Sequence, residues 1–353
     1  MKILGIETSC DDTAAALIEA RSPVNSTGRG AHSFRIIAER RSSQIDIHKQ
    51  YGGVVPELAA RAHAELIMPL IEDVLQPLTP TLSPKGRGSI KPDVIAVTAG
   101  PGLITALMVG VQTAATLSYA MDVPLVAINH IEGHIYGNWL APKQKIVFPA
   151  LALIVSGGHT ELILMKDHGK YRLIGKTRDD AAGECFDKVG KLLGFDYPGG
   201  PKISEHAVGG DQSAIPFPRP MLTSKDYDFS FAGLKTAALY WLREHKKYST
   251  ADFCASFEQA IVDVLVTKTL RAVKEYHPKT VLLGGGVAAN MRLRTALTKA
   301  VSTSYPKVAL TLPPLFATVD NALMIAVAGY FHAKRKDFTS WKKISANPNW
   351  RIA

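Results

Sequence analysis

Cysteine is scarce in this chain of 353 residues: Cys10, Cys185 and Cys254 are far apart and odd in number. Three such residues cannot staple a fold of this length, and they fit a reducing compartment. The first residues also do not read as a signal peptide. Met1-Lys-Ile-Leu-Gly-Ile has only a short apolar run before the acids Glu7, Asp11 and Asp12. Long hydrophobic runs are absent except between Asp93 and Asp122, where no charged residue occurs. That stretch is long enough to span a bilayer, but Gly100-Pro101-Gly102 breaks it and Thr98, Thr105, Gln112 and Thr113 interrupt it. A buried strand, a glycine turn and a buried helix account for it better. The spacing of neither a Rossmann fingerprint nor a P-loop is found, and no His-Glu-x-x-His occurs.

What is present is an ordinary globular balance, 46% hydrophobic and 20% charged, which excludes a largely disordered chain. The length predicts two domains. Lys plus Arg number 41 against 31 Asp plus Glu, and the formal charge of +10 favours an anionic partner such as nucleic acid.

One kind of unit occurs twice. Lys2-Ile-Leu-Gly-Ile-Glu, a polar turn and Thr13-Ala-Ala-Ala-Leu-Ile read as strand, turn, strand. Ala150-Leu-Ala-Leu-Ile-Val, Ser156-Gly-Gly-His and Thr160-Glu-Leu-Ile-Leu repeat that grammar. Later in each half, an apolar strand (94–97, then 280–283) runs into a glycine turn and a helix. Two related α/β domains whose turns line a cleft would produce this order. Helices are predicted over 56–75, with Pro at the start, over 186–193 and over 321–336, with a basic end. The helix at 56–75 carries Leu58, Leu66, Ile67, Leu70, Ile71 and Leu75 on more than one side, a surplus that either a partner helix or the chain's own core on a second side would cover. Residues 22–32 and 76–91 read as insertion loops.

The sharpest chemical signal is Asn129-His130-Ile-Glu132-Gly133-His134. On a helix His130 and His134 fall on one face a turn apart and can grip a divalent metal, with a third ligand from elsewhere. The competing reading is two histidines in ordinary hydrogen bonds. Glu132, at i+2, points to the opposite side, unlike the glutamate of a zinc peptidase. Gly133 inside the helix suggests that a neighbour lies close there. The glycine turns Val155-Ser-Gly-Gly-His159 and Gly284-Gly-Gly-Val-Ala-Ala-Asn290 offer backbone N–H groups to an anion, or simply turn the chain. Gly183-Glu-Cys-Phe-Asp-Lys188 supplies carboxylates for ribose hydroxyls or for helix capping.

Together with Ile6-Glu-Thr-Ser-Cys-Asp-Asp-Thr13, His48-x-x-Tyr-Gly-Gly-Val-Val-Pro-Glu57, Thr98-Ala-Gly-Pro-Gly102 and Phe229-Ser-Phe-Ala-Gly-Leu-Lys235, these motifs resemble the tRNA N6-adenosine threonylcarbamoyltransferase family (TsaD type, bacterial). The resemblance runs from Met1 to about residue 328. It implies an actin/hexokinase/Hsp70-like (ASKHA) α/β fold, with two duplicated RNase H-like domains around a cleft. The domains would be 1–130 and 131–353, the last helix packing back on the first. The implied reaction moves the threonylcarbamoyl group from threonylcarbamoyl-AMP to N6 of the adenosine beside the anticodon, in tRNAs reading codons that begin with A. One divalent metal, iron or zinc, would be held by His130, His134 and Asp320. The adenylate would lie on Leu153, Ile154, Val155, Ser156, Gly157, Asp187, Gly200 and Asn290. Asp11 and Glu132 are the candidate catalytic carboxylates. Implied partners are tRNA, an inactive TsaB-like paralogue, a TsaE-like ATPase or a second copy of the chain, in the cytoplasm and without a membrane. The other readings are a non-catalytic nucleotide-binding scaffold of the same fold and a zinc-dependent glycoprotein peptidase. The sequence departs from the family at Asp12, where many members have Glu, at Thr318-Val319, where Cys-Thr is usual, and in a tail, Asn347-Pro-Asn-Trp-Arg351, that does not match the expected basic one.

Overall fold

A computed structural model describes residues 1–21, 33–76, 90–142 and 144–353; the expected insertions fall outside these residues except at Gln76, Ile90 and Lys91. The chain divides into two units. The first comprises Met1–His48, Val54–Ala141 and Asp320–Ile352, and the second Lys49–Gly53, Pro142–Val319 and Ala353.

In the first unit, β1 (Lys2–Glu7), β2 (Asp12–Arg21) and β3 (Ser33–Ser43) form an antiparallel meander. A short turn of helix, α1 (Ile45–His48), and a long one, α2 (Pro56–Leu75), lead to β4 (Val94–Gly100), which lies parallel to β1. Then α3 (Ile104–Met121) leads to β5 (Leu125–Asn129), parallel to β4, and directly into α4 (His130–Tyr136). The sheet order is β3-β2-β1-β4-β5. The interior strand β4 is apolar except for Thr98 and buried at every position, as a strand covered on both faces must be. β3, at the edge, carries Arg35, Glu39, Arg40 and Arg41, charges that blunt further strand pairing.

Alternation along β1 separates the two faces. Leu4 and Ile6 pack with Ile67, Ile71 and Val74 of α2 and Ala114 of α3. Gly5 points the other way, toward the last helix, Ala322–Arg335. A Cβ on Gly5 would stand 2.2 Å from the Ala322 carbonyl oxygen, and one on Gly329 would stand 2.4 Å from the Ala96 Cβ. Two glycines on facing elements therefore set how closely that helix lies on the sheet.

The uncharged stretch after Asp93 is β4, a glycine turn and α3, as expected. Among the described residues α3 is the one helix long and apolar enough to cross a membrane, and it packs Ala106, Leu107, Val111 and Ala114 into the first unit's core. The two-sided apolar character of α2 is smaller than its sequence suggests. Ile67, Ile71 and Leu75 are core residues, Leu58, Leu66 and Leu70 are half-buried, and Met68 is exposed.

The second unit repeats the topology. β6 (Ala150–Val155), β7 (Thr160–Asp167) and β8 (Lys170–Lys176) form the meander. Helices α5 (Ala182–Leu192), α6 (Gly199–His206), α7 (Ala232–Glu244) and α8 (Thr250–Tyr276) precede β9 (Thr280–Gly284), parallel to β6. α9 (Met291–Ser304) then leads to β10 (Ala309–Thr311), parallel to β9, and the sheet order is β10-β9-β6-β7-β8. Its core joins Leu151, Leu153 and Val155 to Phe186, Phe253, Phe257 and Leu283. α5 starts four residues before the predicted 186, because Gly183 serves close packing instead of ending a helix: a Cβ there would meet the Ser156 oxygen at 2.6 Å.

The final helix, α10 (Ala322–Arg335), belongs to the first unit. So does α4, whose seven residues are all buried, and the division consequently falls after Ala141 and not at 130.

Candidate functional site

Three side chains of the first unit with metal-binding atoms converge. His130 and His134, a turn apart on α4, have ring centroids 4.6 Å apart. The Oδ1 of Asp320, two residues before α10, lies 3.4 Å from His130 Nε2 and 3.3 Å from His134 Nε2. One ligand atom from each of the three can be chosen so that all lie within 4.8 Å of one another. Gly133 allows this placement, since a Cβ there would come within 2.7 Å of the Ile325 side chain on α10. Both ring nitrogens of His134 are buried; Nδ1 has no hydrogen bond among the described residues, and Nε2, 3.3 Å from Asp320 Oδ1, makes no well-aligned one. An imidazole is not left so at no cost, and two nitrogens and a carboxylate oxygen facing one point are the donor set of a divalent transition metal. The residues fit such an ion.

The other side of His130 is equally organised. Its Nδ1 lies 3.1 Å from Glu7 Oε2 and 3.1 Å from Ser9 Oγ. Glu7, at the end of β1, is fully buried and accepts from the Ser9 backbone at 2.5 Å and Thr98 Oγ1 at 2.6 Å. A carboxylate behind a ligating histidine fixes its tautomer and ring orientation. Burial opposes charging His130, but Asp320 and Glu7 together outweigh it and raise its pKa to about 10. Burial pushes His134 the other way, and the Asp320 contact offsets that only in part. Burial would raise both carboxyls, yet the His130 charge outweighs it and holds Glu7 below, and Asp320 well below, the ordinary range. Glu7 escaped the sequence reading, although an acid directly following the apolar run Ile3-Leu-Gly-Ile6 was a usable signal.

Of the candidate catalytic carboxylates, Asp11 stands in the β1–β2 turn. Burial first, and then the Asp320 charge, push its pKa up. The adjoining Asp12 is raised by the same causes to about 7. The turn is pinned by His63 of α2, whose Nε2 donates to the Cys10 carbonyl at 3.0 Å, leaving Nδ1 to accept from Thr13 Oγ1 at 2.7 Å. Glu132 pairs instead with His332 of α10 at 2.8 Å, on the helix side away from His130 and His134.

In the second unit, Leu153, Ile154 and Val155 are buried in β6, so only their backbone and the following turn can meet a ligand. Gly157, Gly158 and Gly286 face open space, where a Cβ would touch nothing within 4 Å. Gly285, at φ +89°, lies against the Val155 carbonyl, where a Cβ would come within 2.3 Å. Two glycine turns thus meet at the carboxyl ends of adjacent parallel strands, β6 and β9, the place where open α/β sheets bind ligands. Asp187 and Gly200, named separately from the sequence, are joined: Asp187 Oδ1 accepts from Gly199 N at 2.8 Å and Gly200 N at 3.3 Å, capping α6. Asp187 also borders a cavity of about 300 Å³ lined by Tyr51, Lys191, Phe195 and Tyr197. Asn290 caps α9 through Leu293 N at 2.8 Å, and its amide donates to Ser204 Oγ at 3.0 Å and Glu258 Oε1 at 2.6 Å. Glu258, buried on α8, also accepts from Ser204 and from Arg292. Nothing in its local sequence sets it apart from a solvent-facing helical glutamate.

The family model of tRNA N6-adenosine threonylcarbamoyltransferase (TsaD) matches residues 35–327. The chain is similar to the tRNA N6-adenosine threonylcarbamoyltransferase of Bacillus subtilis, 48% identical over 333 residues, with 93% of this chain and 90% of that protein covered. The Geobacillus thermodenitrificans protein of the same name is 47% identical over 353 residues, covering 98% and 95%. Among solved structures, HypF of T. kodakarensis aligns with a TM-score of 0.57 at 13% identity over 94% of this chain, which spans 47% of that one. Component A of the (R)-2-hydroxyglutaryl-CoA dehydratase of Acidaminococcus fermentans aligns with a TM-score of 0.52 at 14% identity, covering 95% and 99%. At such identities the likeness shows the fold alone, the actin/hexokinase/Hsp70-like one.

Proposed function

The chain belongs to the tRNA N6-adenosine threonylcarbamoyltransferase family, and from that premise we propose that it transfers the threonylcarbamoyl group of threonylcarbamoyl-AMP to N6 of the adenosine beside the anticodon. The tRNAs concerned are those that read codons beginning with A. The observation that carries this reading is the buried convergence of His130, His134 and Asp320.

In the transfer, a bond forms between N6 and the carbamoyl carbon, and the bond from that carbon to the phosphate oxygen breaks. AMP leaves with the electron pair and N6 gives up a proton. An adenine amine is a weak nucleophile, so the carbonyl must be polarised. A divalent ion, iron or zinc, bound by His130, His134 and Asp320 supplies Lewis acidity of that kind. Glu7 keeps His130 in the tautomer whose Nε2 is a donor to metal. The backbone from Leu153 to Gly157, with Asp187, Gly200 and Asn290, holds the phosphate and ribose of the adenylate. Asp11, its pKa raised, is the chain's acceptor for the N6 proton. Glu132 serves through its pairing with His332, which orients α4 against α10, and no comparable base faces the ligands from α4 for peptide hydrolysis.

The net charge of +10 attracts tRNA and makes its binding steeply salt-dependent. An inactive paralogue, or a second copy of this chain, covers the exposed rim of α2 around Met68, and an ATPase completes the assembly in the cytoplasm. The test is direct: the purified protein, given threonylcarbamoyl-AMP and tRNA, releases AMP in step with formation of the modified nucleoside. If metal-loaded protein with these partners yields neither, and only binds the adenylate, the scaffold reading replaces this one.

A further inference from the structure

α4 is a helix of seven residues, too short to be stable on its own, yet it carries both histidines. Its position must therefore come from its anchors. The N-cap is Asn129, whose Oδ1 accepts from Ile131 N at 2.9 Å and Glu132 N at 3.3 Å. An amide presents similar shapes in its two orientations, and only the hydrogen bonds decide between them. Here Asn129 Nδ2 donates to the Trp350 carbonyl oxygen at 3.1 Å. That acceptor belongs to the segment following α10, which runs along β5 and across the end of β4. Thr339 N donates to the Leu125 carbonyl at 2.8 Å, Ile344 packs on the core, and Asn347 N donates to the Ala99 carbonyl at 2.7 Å. Gly102 N donates to the Pro348 carbonyl at 3.3 Å. Gly100 makes room, since a Cβ there would sit 1.9 Å from the Asn347 oxygen.

We propose that Asn129 is a positioning residue for the metal centre, held in its capping orientation by the C-terminal segment Asn347–Trp350. The inference rests on the metal reading above. Trp350 takes the amide N–H, which commits the amide oxygen to α4. That in turn sets the first turn of the helix, where His130 immediately follows. The tail that fits no basic pattern in the sequence thus acts on the ligand set from behind.

Two full-length variants separate this role from simple stability. Asn129→Ser keeps a capping oxygen but cannot span to Trp350, and Asn347→Pro removes the N–H bound by Ala99 without touching α4. Zn²⁺ affinity is measured by chelator competition, and the ligand field by the visible absorption of bound Co²⁺. Each variant is expected to melt within a few degrees of the parent, to bind Zn²⁺ about 10-fold more weakly and to alter the Co²⁺ spectrum. Because both act through one hydrogen bond, the double variant is expected to be no worse than the weaker single one. Parental Zn²⁺ affinity in either variant overturns the proposal. So does additive loss, or a loss that only follows the unfolded fraction. His134→Ala is the separate control: if it binds Zn²⁺ as the parent does, the metal reading has failed, whatever the tail does.

Discussion

The two units share a sheet order and direction of strands but differ in the residues that leave each strand end. After β1 the first unit turns a buried carboxylate, Glu7, inward, and after β5 it places a short helix with two histidines. After β6 and β9 the second unit has glycines, three of them in open space at Gly157, Gly158 and Gly286. One unit thus offers charged side chains fixed by other side chains, and the other offers bare backbone. A duplicated scaffold holds its strand ends rigid in both cases, so the loops can differ in chemistry without changing the core.

The largest expected effect breaks one half of that comparison. Asp320→Ala is expected to lose bound metal and to slow modification by on the order of 100-fold or more, with adenylate binding intact. Metal analysis, single-turnover assay and calorimetry with a stable adenylate analogue check this, and an equal loss of adenylate affinity would abolish the division of labour.

Next come the glycines of the second unit. Gly285→Ala meets both a left-handed backbone and the Val155 carbonyl, and is expected to cost about 2–3 kcal/mol in urea unfolding. Gly286→Ala, in open space, is expected to fold normally. Similar stabilities for the two would show that the turn is not the close-packed junction described.

Asp187→Ala and Asn290→Ala are expected to weaken adenylate binding about 10-fold while leaving metal content unchanged. Asp187→Ala also removes the cap of α6, so its melting temperature should fall while that helix stays formed. Unchanged affinity in both variants moves the nucleotide elsewhere.

The smallest effect concerns pH. The folded-state pKa of Asp12, raised chiefly by burial to about 7, exceeds the unfolded carboxylate value. The metal-free folded protein therefore binds this proton more tightly than the unfolded chain. Its contribution to stability is present at low pH and is lost as pH rises from about 4 through 7. Asp12→Asn is expected to remove that slope and to raise stability at pH 8 by on the order of 1 kcal/mol. Denaturant titrations of the stripped protein at pH 5 and 8 measure it.

Much of this was legible from one dimension because local patterns report local geometry. The i, i+4 histidines, the apolar runs of β4 and α3 and the proline opening α2 follow from period and residue type. Gly133 signalled a close neighbour, and Ile325 is that neighbour. The same logic left α2 open, since apolar residues on two sides of a helix look alike whether a sheet, a loop or a partner covers them. Glu132 and Glu258 show the limit more clearly. Each is a glutamate in a helical pattern, and what it does depends on His332, two hundred residues away, or on Ser204, Asn290 and Arg292.

The amino-acid sequence by itself determined the duplicated strand-and-helix grammar, the histidine pair and the glycine turns, because each depends on neighbours within a few positions. Only the tertiary structure decided that Glu7 stands behind His130, that Asp187 caps the helix bearing Gly200, and that the tail ends on Asn129. Those are hydrogen bonds between groups far apart in the chain. A buried donor or acceptor must find a partner wherever packing puts one, and packing is a property of the whole fold.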